Sequence, residues 1–151
     1  MTAGRVSHLA ELINPDLAQK VVDAWRTLQD EISTIEFLME HDFDPGLAKS
    51  ILKVCQTDTV ERLKLNPYSL IAFQGIHPNM WKIVDAAAAK LGIPRDDPRR
   101  LAGLVENLLY VRLDQGHTAY EIEELKAALI QKLPSARLVD QAIDCALQRR
   151  A

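Results

Sequence analysis

The amino-acid sequence predicts an all-α fold, and three features lead to that prediction. No segment alternates apolar and polar residues with the period of two that is typical of a half-buried strand. Glycine and aromatic residues are scarce, at 6 residues and 5%, which also disfavours a β-sheet. Four prolines directly follow an asparagine or aspartate, which is a pair that begins helices. These pairs are Asn14-Pro15, Asp44-Pro45, Asn66-Pro67 and Asp97-Pro98.

The first half of the chain predicts several short helices. The first pair begins a helix with one apolar face, consisting of Leu17, Val21, Ala24, Trp25 and Leu28. Ser33 and Glu36 have the spacing of a capping box, so they predict a new helix at that point. The pairs Asp44-Pro45 and Asn66-Pro67 each begin a further short helix.

The second half predicts longer helices. One runs from about Asn79 to Leu91 and ends at Gly92, because glycine readily adopts the left-handed conformation of a helix C-cap. Asp97-Pro98 begins the most regular helix, which ends at Gly116, and two more follow at about residues 121–133 and 135–149. About eight helices are expected in all. The residues that we expect to be mostly buried are Trp25, Phe37, Leu38, Ile51, Leu70, Val84, Leu91, Leu101, Leu104 and Leu108.

Composition limits the class of protein. The chain has 151 residues, of which 48% are hydrophobic and 26% charged, as in an ordinary globular domain. It lacks a membrane-length apolar run and a signal sequence, and its two cysteines are not in a C-x-x-C motif, so we expect a cytoplasmic protein. Residues 1–75 carry 7 basic and 11 acidic side chains, whereas residues 76–151 carry 11 and 10. No strongly basic surface is expected, so any contact with DNA must be local.

The motifs of several catalytic and cofactor sites are missing. The sequence contains no P-loop and no G-x-G-x-x-G, and its four histidines are too far apart for a zinc motif. We therefore predict no catalytic residue, cofactor or metal in this chain. Glu121, Glu123 and Glu124 follow His117, but acidic residues are typical of a solvated first helical turn. An acid–base site at His117 is the weaker alternative, and it requires a pocket there that we do not expect.

Three tight turns join predicted helices and point to a mode of binding. They lie at Leu12–Pro15, His41–Gly46 and Phe73–Asn79, at intervals of roughly 30 residues. This arrangement resembles repeated helix-hairpin-helix units, in which a turn and the following helix N-terminus direct backbone N–H groups at a DNA phosphate. Such binding is largely independent of sequence.

Longer motifs make the resemblance specific. The sequence contains N-P-Y-x-L at 66–70, L-G-I-x-x-D-D-P-x-R-L at 91–101 and G-H-T at 116–118, together with Asp85 and Gly103. In order and spacing, residues 8–134 resemble the N-terminal region of long-form RecD-like (RecD/TraA family) superfamily-one DNA helicases. The resemblance implies a tandem helix-hairpin-helix region at 1–93. It also implies a helical C-terminal part at 94–151 that begins a winged-helix-like module.

The resemblance also implies a function. The module would bind or guide DNA, single-stranded or duplex, beside an ATP-dependent helicase motor that acts in repair or recombination. ATP and Mg²⁺ would serve only that motor, which is absent from this chain, so the chain is expected to be a fragment. A stand-alone small protein is the alternative. The candidate DNA-binding residues are Gly75, Ile76, His77, Asn79, Lys82, Arg95, Arg99, Arg100 and Arg137.

The hairpins depart from the Gly-hydrophobic-Gly pattern of the family. The second hairpin reads Asp42-Phe43-Asp44, which would bring carboxylates toward a phosphate. The alternative is therefore an α-helical protein–protein adaptor, whose hairpins no longer bind DNA and whose acidic N-terminal half contacts a partner.

Overall fold

A computed structural model describes residues 14–55, 58–73 and 79–150, and every regular element among them is helical. The predicted all-α class is confirmed. The helices are α1 (Pro15–Glu40), α2 (Ala48–Cys55), α3 (Thr59–Leu65), α4 (Met80–Lys90), α5 (Pro98–Asp114), α6 (Ile122–Ile130) and α7 (Ala136–Arg150). Two 3-10 helices lie at Pro45–Leu47 and Pro67–Phe73. Because the described residues contain no strand, a winged-helix-like character for the C-terminal part stays a prediction.

All four helix starts predicted from Asn-Pro and Asp-Pro pairs are confirmed. In three of them the side chain before proline accepts a hydrogen bond from the backbone N–H two residues later. Asn14 and Asp44 do so at 3.0 and 2.8 Å, and Asp97 at 2.8 Å. Asn66 differs, because its carbonyl, not its side chain, accepts a hydrogen bond from the Ser69 hydroxyl at 2.8 Å. Local capping chemistry therefore determines where these helices begin.

The predicted capping box at Ser33 and Glu36 is wrong. Both residues lie inside α1, which is a single helix of 26 residues. Thr34 is fully buried, and its hydroxyl donates to the Asp30 carbonyl one turn earlier at 2.7 Å. This bond satisfies the hydroxyl without interrupting the helix, and no proline or glycine stops the chain before His41.

The chain forms two compact units, Met1–Val60 and Glu61–Ala151. In the first, Phe37 and Leu38 of α1 are buried, as are Ile51 of α2 and Leu47 of the first 3-10 helix. The prediction that Trp25 is buried is wrong, because 55% of its surface is exposed. The earlier turns of α1 carry an apolar face that no other described element of this unit covers.

The second unit is built around α5. This helix packs against α7, α6, α4 and the second 3-10 helix. Its predicted core residues Leu101, Leu104 and Leu108 are buried, as are Leu70 and Val84, while Leu91 is only half-buried. Arg100 of α5 pairs with Asp85 of α4, so residues on the two sides of the predicted boundary at 93 pack within one unit. The proposed division into 1–93 and 94–151 concerns sequence motifs and stays a prediction.

Gly103 on α5 is a point of close approach between helices. A Cβ atom added there would lie 2.9 Å from Tyr68 Cβ and Cδ1, which is closer than van der Waals contact permits. Because Tyr68 is completely buried in the second 3-10 helix, its ring has no open space to move into. The absence of a side chain at Gly103 therefore allows the second 3-10 helix to pack directly on α5.

Asp97, which caps α5, is expected to make the stability of the second unit dependent on pH. Its side chain accepts hydrogen bonds from the Arg99 guanidinium at 2.8 Å. These bonds, with the Arg99 backbone N–H, lower the pKa of Asp97 below its ordinary value of 3.8. A lowered pKa in the folded state stabilises the fold above the unfolded-state value, and that stabilisation is lost as the pH falls through the folded pKa.

Asp97→Asn keeps a capping oxygen but removes the charge. We expect it to lower the free energy of unfolding by about 1 kcal/mol at pH 7, and the difference from wild type should close below about pH 4. Urea unfolding followed by circular dichroism between pH 7 and 3 measures this. Asp96→Asn, at the exposed neighbouring residue, is the control and should show no difference. A difference that persists unchanged to pH 3 would contradict the linkage.

Candidate nucleic-acid interface

The N-terminus of α4 lacks a side-chain cap, unlike the other two helix starts that follow a predicted hairpin. Asn79 precedes it in the left-handed conformation, with φ of 67°, and its side chain makes no capping hydrogen bond. The Asn79 side chain therefore does not cap the positive end of the helix dipole, and among the first-turn N–H groups that of Lys82 donates to the Asn79 carbonyl at 3.0 Å. Lys82 lies in the same turn and is exposed. Gly75, Ile76 and His77 of the preceding turn lie outside the described residues.

The second hairpin has the opposite character. The carboxylate of Asp44 accepts a hydrogen bond from the Gly46 N–H at 2.8 Å, so it occupies a donor that a phosphate would otherwise use. Asp42 has a left-handed backbone, with φ of 62°. His41 is buried and stacks on Phe37, with 4.4 Å between the ring centroids, and its Nδ1 lies 2.9 Å from the Phe37 carbonyl oxygen. The turn is thus closed by its own side chains.

Arg100 has several partners inside the protein. Its guanidinium binds both carboxylate oxygens of Asp85, at 2.7 and 3.0 Å, and donates to the Arg95 carbonyl at 3.0 Å. It also lies over the Trp81 ring, 5.6 Å from the centroid, and its side chain is only 15% exposed. These contacts hold the guanidinium against the protein and leave little of it for DNA.

Tyr68 completes this arrangement. Its hydroxyl donates to Asp85 Oδ1 at 2.9 Å, and its ring lies 5.7 Å from that of Trp81. Burial raises the pKa of the Tyr68 hydroxyl well above its usual value, and the hydrogen bond to Asp85 raises it further. We call Tyr68, Trp81, Asp85 and Arg100 the Asp85 network. It joins the second 3-10 helix, α4 and α5.

The Asp85 network gives a structural role to motifs that the sequence analysis connected with function. Tyr68 belongs to N-P-Y-x-L, and Arg100 is the arginine of L-G-I-x-x-D-D-P-x-R-L. Sequence reasoning treated Arg100 as a DNA contact and missed its pairing with Asp85, 15 residues away. The available signal was a carboxylate between two motifs that contain a tyrosine and an arginine.

Arg99 also has intramolecular partners. Its guanidinium donates to both oxygens of Asp97 at 2.8 Å and to the Leu65 carbonyl. Its side chain is more exposed than that of Arg100. Arg99 therefore contributes positive charge near the surface, although its hydrogen-bond donors already bind Asp97 and the Leu65 carbonyl.

Three other candidate cations are exposed: Lys82, Arg95 and Arg137. Among the described residues, none of the three forms an ion pair. Lys82 lies in the first turn of α4 and Arg95 lies beyond its other end, while Arg137 is in the first turn of α7.

The prediction that no pocket lies around His117 is wrong. A cavity of about 610 Å³ is bounded by α5, α6, α7 and residues 117–120, and His117, Arg112 and Tyr120 are among its lining residues. Glu121, Glu123 and Glu124 do not line it. Instead, Glu124 pairs with Arg112 at 2.9 Å, and no group of three metal-ligating side chains occurs among the described residues. The acid–base alternative therefore lacks the carboxylates of Glu121, Glu123 and Glu124, although Glu106 of α5 also lines the cavity.

Comparison with known proteins gives the family of the chain. A model of the ATP-dependent RecD2 DNA helicase HHH domain matches residues 28–119, which is about three fifths of the 151 residues. The chain belongs to this RecD2 HHH-domain family. The resemblance to a RecD-like helicase region is thereby confirmed. No curated protein and no solved structure matches the chain.

The RecD2 HHH-domain match covers the elements described above. It includes the second hairpin, the N-terminus of α4 and every residue of the Asp85 network. It ends at residue 119, shortly before α6, so α6 and α7 lie beyond it. No helix in the described part of this RecD2 HHH-domain chain is long and apolar enough to cross a membrane.

Proposed function

We propose that this chain is a DNA-binding module of an ATP-dependent RecD-like helicase and that it holds or guides DNA beside the motor. The observation that carries the proposal is the N-terminus of α4, which has no side-chain cap and has exposed Lys82 in its first turn, within a chain of the RecD2 HHH-domain family. Backbone N–H groups and an ammonium group both bind phosphate oxygens. Because every nucleotide carries the same phosphate, such binding does not depend on sequence.

The proposed contacts are the Gly75–Asn79 turn with Lys82, and then Arg95 and Arg137. Arg99 and Arg100 act mainly through their charge, since their guanidinium groups already bind carboxylates. The Asp42–Asp44 turn contributes little, because Asp44 already occupies the Gly46 N–H. ATP and Mg²⁺ are proposed to act only at the motor. We also propose a role in DNA repair or recombination in the cytoplasm, where the thiols of Cys55 and Cys145 would stay reduced.

Salt-dependent binding of labelled oligonucleotides tests the proposal. We expect weak, sequence-independent binding to single-stranded or duplex DNA in fluorescence anisotropy titrations. For duplex, the slope of log K against log salt should be about −0.9 for each phosphate that the protein neutralises. Lys82→Ala should make this slope shallower by roughly 0.9 and weaken binding to all sequences alike. Lys132→Ala removes another exposed lysine that is not a candidate, so it should have a smaller effect.

Arg99 and Arg100 are poor first probes, because their replacement also removes intramolecular ion pairs. A loss of DNA binding could then not be distinguished from a loss of folding. Two results would contradict the proposal. One is no detectable binding even at ~50 mM salt, where electrostatic contacts are strong. The other is an equal effect of Lys82→Ala and Lys132→Ala, which would indicate only a general effect of net charge.

A protein–protein adaptor is the second candidate function. The closed second hairpin favours it, since the Asp44 carboxylate lies where a helix-hairpin-helix unit would hold a phosphate. Residues 28–40 of α1 carry four acidic side chains and no basic one, so this part of the surface also repels DNA. If the chain fails to bind DNA at low salt, the adaptor becomes the leading candidate.

A further inference from the structure

The first five turns of α1 carry a continuous row of apolar side chains that remain about half exposed. They are Leu17, Val21, Trp25, Leu28 and Ile32, with exposed fractions between 46% and 55%. We call these five residues the α1 stripe. Isolated exposed apolar residues are common, but a contiguous row that includes a tryptophan is typical of an interaction surface.

The spacing of the α1 stripe matches the seam of a coiled coil. Val21, Trp25, Leu28 and Ile32 alternate at intervals of four, three and four residues, which are the d, a, d and a positions of a heptad. This spacing keeps the row along one side of a helix for about 17 Å, since each residue advances the axis by about 1.5 Å. The surface therefore fits another helix lying along α1.

The area of the stripe indicates what can cover it. Five half-exposed apolar side chains present on the order of 400–500 Å² of apolar surface. Two such surfaces facing each other would bury about 1,000 Å², near the lower limit for a specific interface. An interface of this size is typical of a weak, reversible complex, not of an obligate one.

The charges along α1 determine the direction of such a pair. Residues 28–40 contain Asp30, Glu31, Glu36 and Glu40 without a basic residue, whereas the four charges of residues 15–27 cancel. In a parallel pair, Glu31 at position g would face Glu36 at position e of the other helix, and these like charges repel. In an antiparallel pair, each acidic half lies beside the neutral half of its partner, which includes the exposed cation Arg26.

We propose that the α1 stripe binds the α1 stripe of a second copy of this chain, with the two helices antiparallel. In this pair Trp25 packs against Leu28 of the other copy, and Val21 against its Ile32. Each layer thus combines a larger side chain with a smaller one, which fills the seam without steric conflict. This inference goes beyond the proposed function, because neither DNA binding nor membership of the family requires self-association.

Sedimentation velocity of the whole chain across 1–200 μM tests self-association. We expect a shift from monomer to dimer within this range. Leu28→Glu should weaken dimer formation by about tenfold or more, because each interface would bury two carboxylates without partners. Leu147→Glu replaces a leucine of α7 that is also exposed and lies outside the stripe, so it should leave the dimer unchanged. Circular dichroism of both variants checks that the helices remain folded.

Disulfide crosslinking tests the direction, in a background in which Cys55 and Cys145 are replaced by serine. A mixture of Val21→Cys chains and Ile32→Cys chains should form a mixed disulfide dimer. Val21→Cys chains alone should remain largely uncrosslinked. The proposal is overturned by a monomer at 200 μM, by equal effects of Leu28→Glu and Leu147→Glu, or by efficient crosslinking of Val21→Cys chains to each other. None of these results depends on DNA binding.

Discussion

Asp85→Ala is expected to lower the free energy of unfolding by about 3 kcal/mol, because one carboxylate satisfies two partners. Its removal leaves the Arg100 guanidinium, 15% exposed, without its anion, and the buried Tyr68 hydroxyl without its acceptor. Asp85 itself is 29% exposed, so water can partly replace it, and we place the loss at the lower end for broken ion pairs of this kind. Urea unfolding followed by tryptophan fluorescence measures the effect, since Trp81 lies beside Arg100.

Asp96→Ala is the matched control for Asp85→Ala. It removes the same charge from an exposed position in the same unit, and we expect a change within about 0.5 kcal/mol. A loss below about 1 kcal/mol for Asp85→Ala would show that the network is formed at the surface and contributes little to stability.

Leu104→Ala should destabilise the second unit by about 3–4 kcal/mol through a different mechanism. Leu104 is 1% exposed and lies in the cluster where α5 packs against α6 and α7. Truncation removes the burial of three carbon atoms and leaves a cavity that close-packed helices fill only in part. Thermal and urea unfolding measure the loss. Leu113→Ala, on the same helix with its side chain 52% exposed, is the control and should cost less than about 1 kcal/mol.

A loss below about 1 kcal/mol for Leu104→Ala would mean that α5 is not packed as described. Leu104→Ala and Asp85→Ala should also destabilise the protein through different interactions. Leu104→Ala leaves all hydrogen bonds of the Asp85 network intact, whereas Asp85→Ala creates no apolar cavity.

The helix starts could be predicted because their cause is local. A capping side chain and the following proline act within two residues. The pairs Asn14-Pro15 and Asp97-Pro98 are therefore sufficient to predict where their helices begin. Ser33 and Glu36 have a capping pattern too, but no residue at that point ends the preceding helix. The chain therefore continues as one helix through both residues. Trp25 shows a second limit. Periodicity identified its face of α1 correctly, but it could not show whether another element covers that face.

The candidate site was predictable only as a set of charges. Lys82, Arg95 and Arg137 are exposed as expected, whereas Arg100 is held by a carboxylate from another helix. Such pairing depends on how α4 and α5 pack, and residue types alone do not show it. The cavity beside His117 was missed for the same reason, because its walls come from three helices and the 117–120 segment.

The contact between Gly103 and Tyr68 also limits how sequences of this kind can diverge. A side chain at position 103 fits only if position 68 first becomes smaller, so these two positions, 35 residues apart, are expected to covary. Tyr68 is not free to change alone, because its hydroxyl binds Asp85, which in turn holds Arg100. The residues at positions 68, 85, 100 and 103 should therefore change together among related sequences. A lineage that loses the tyrosine should then accept new residues at all of them, while the exposed cations drift independently.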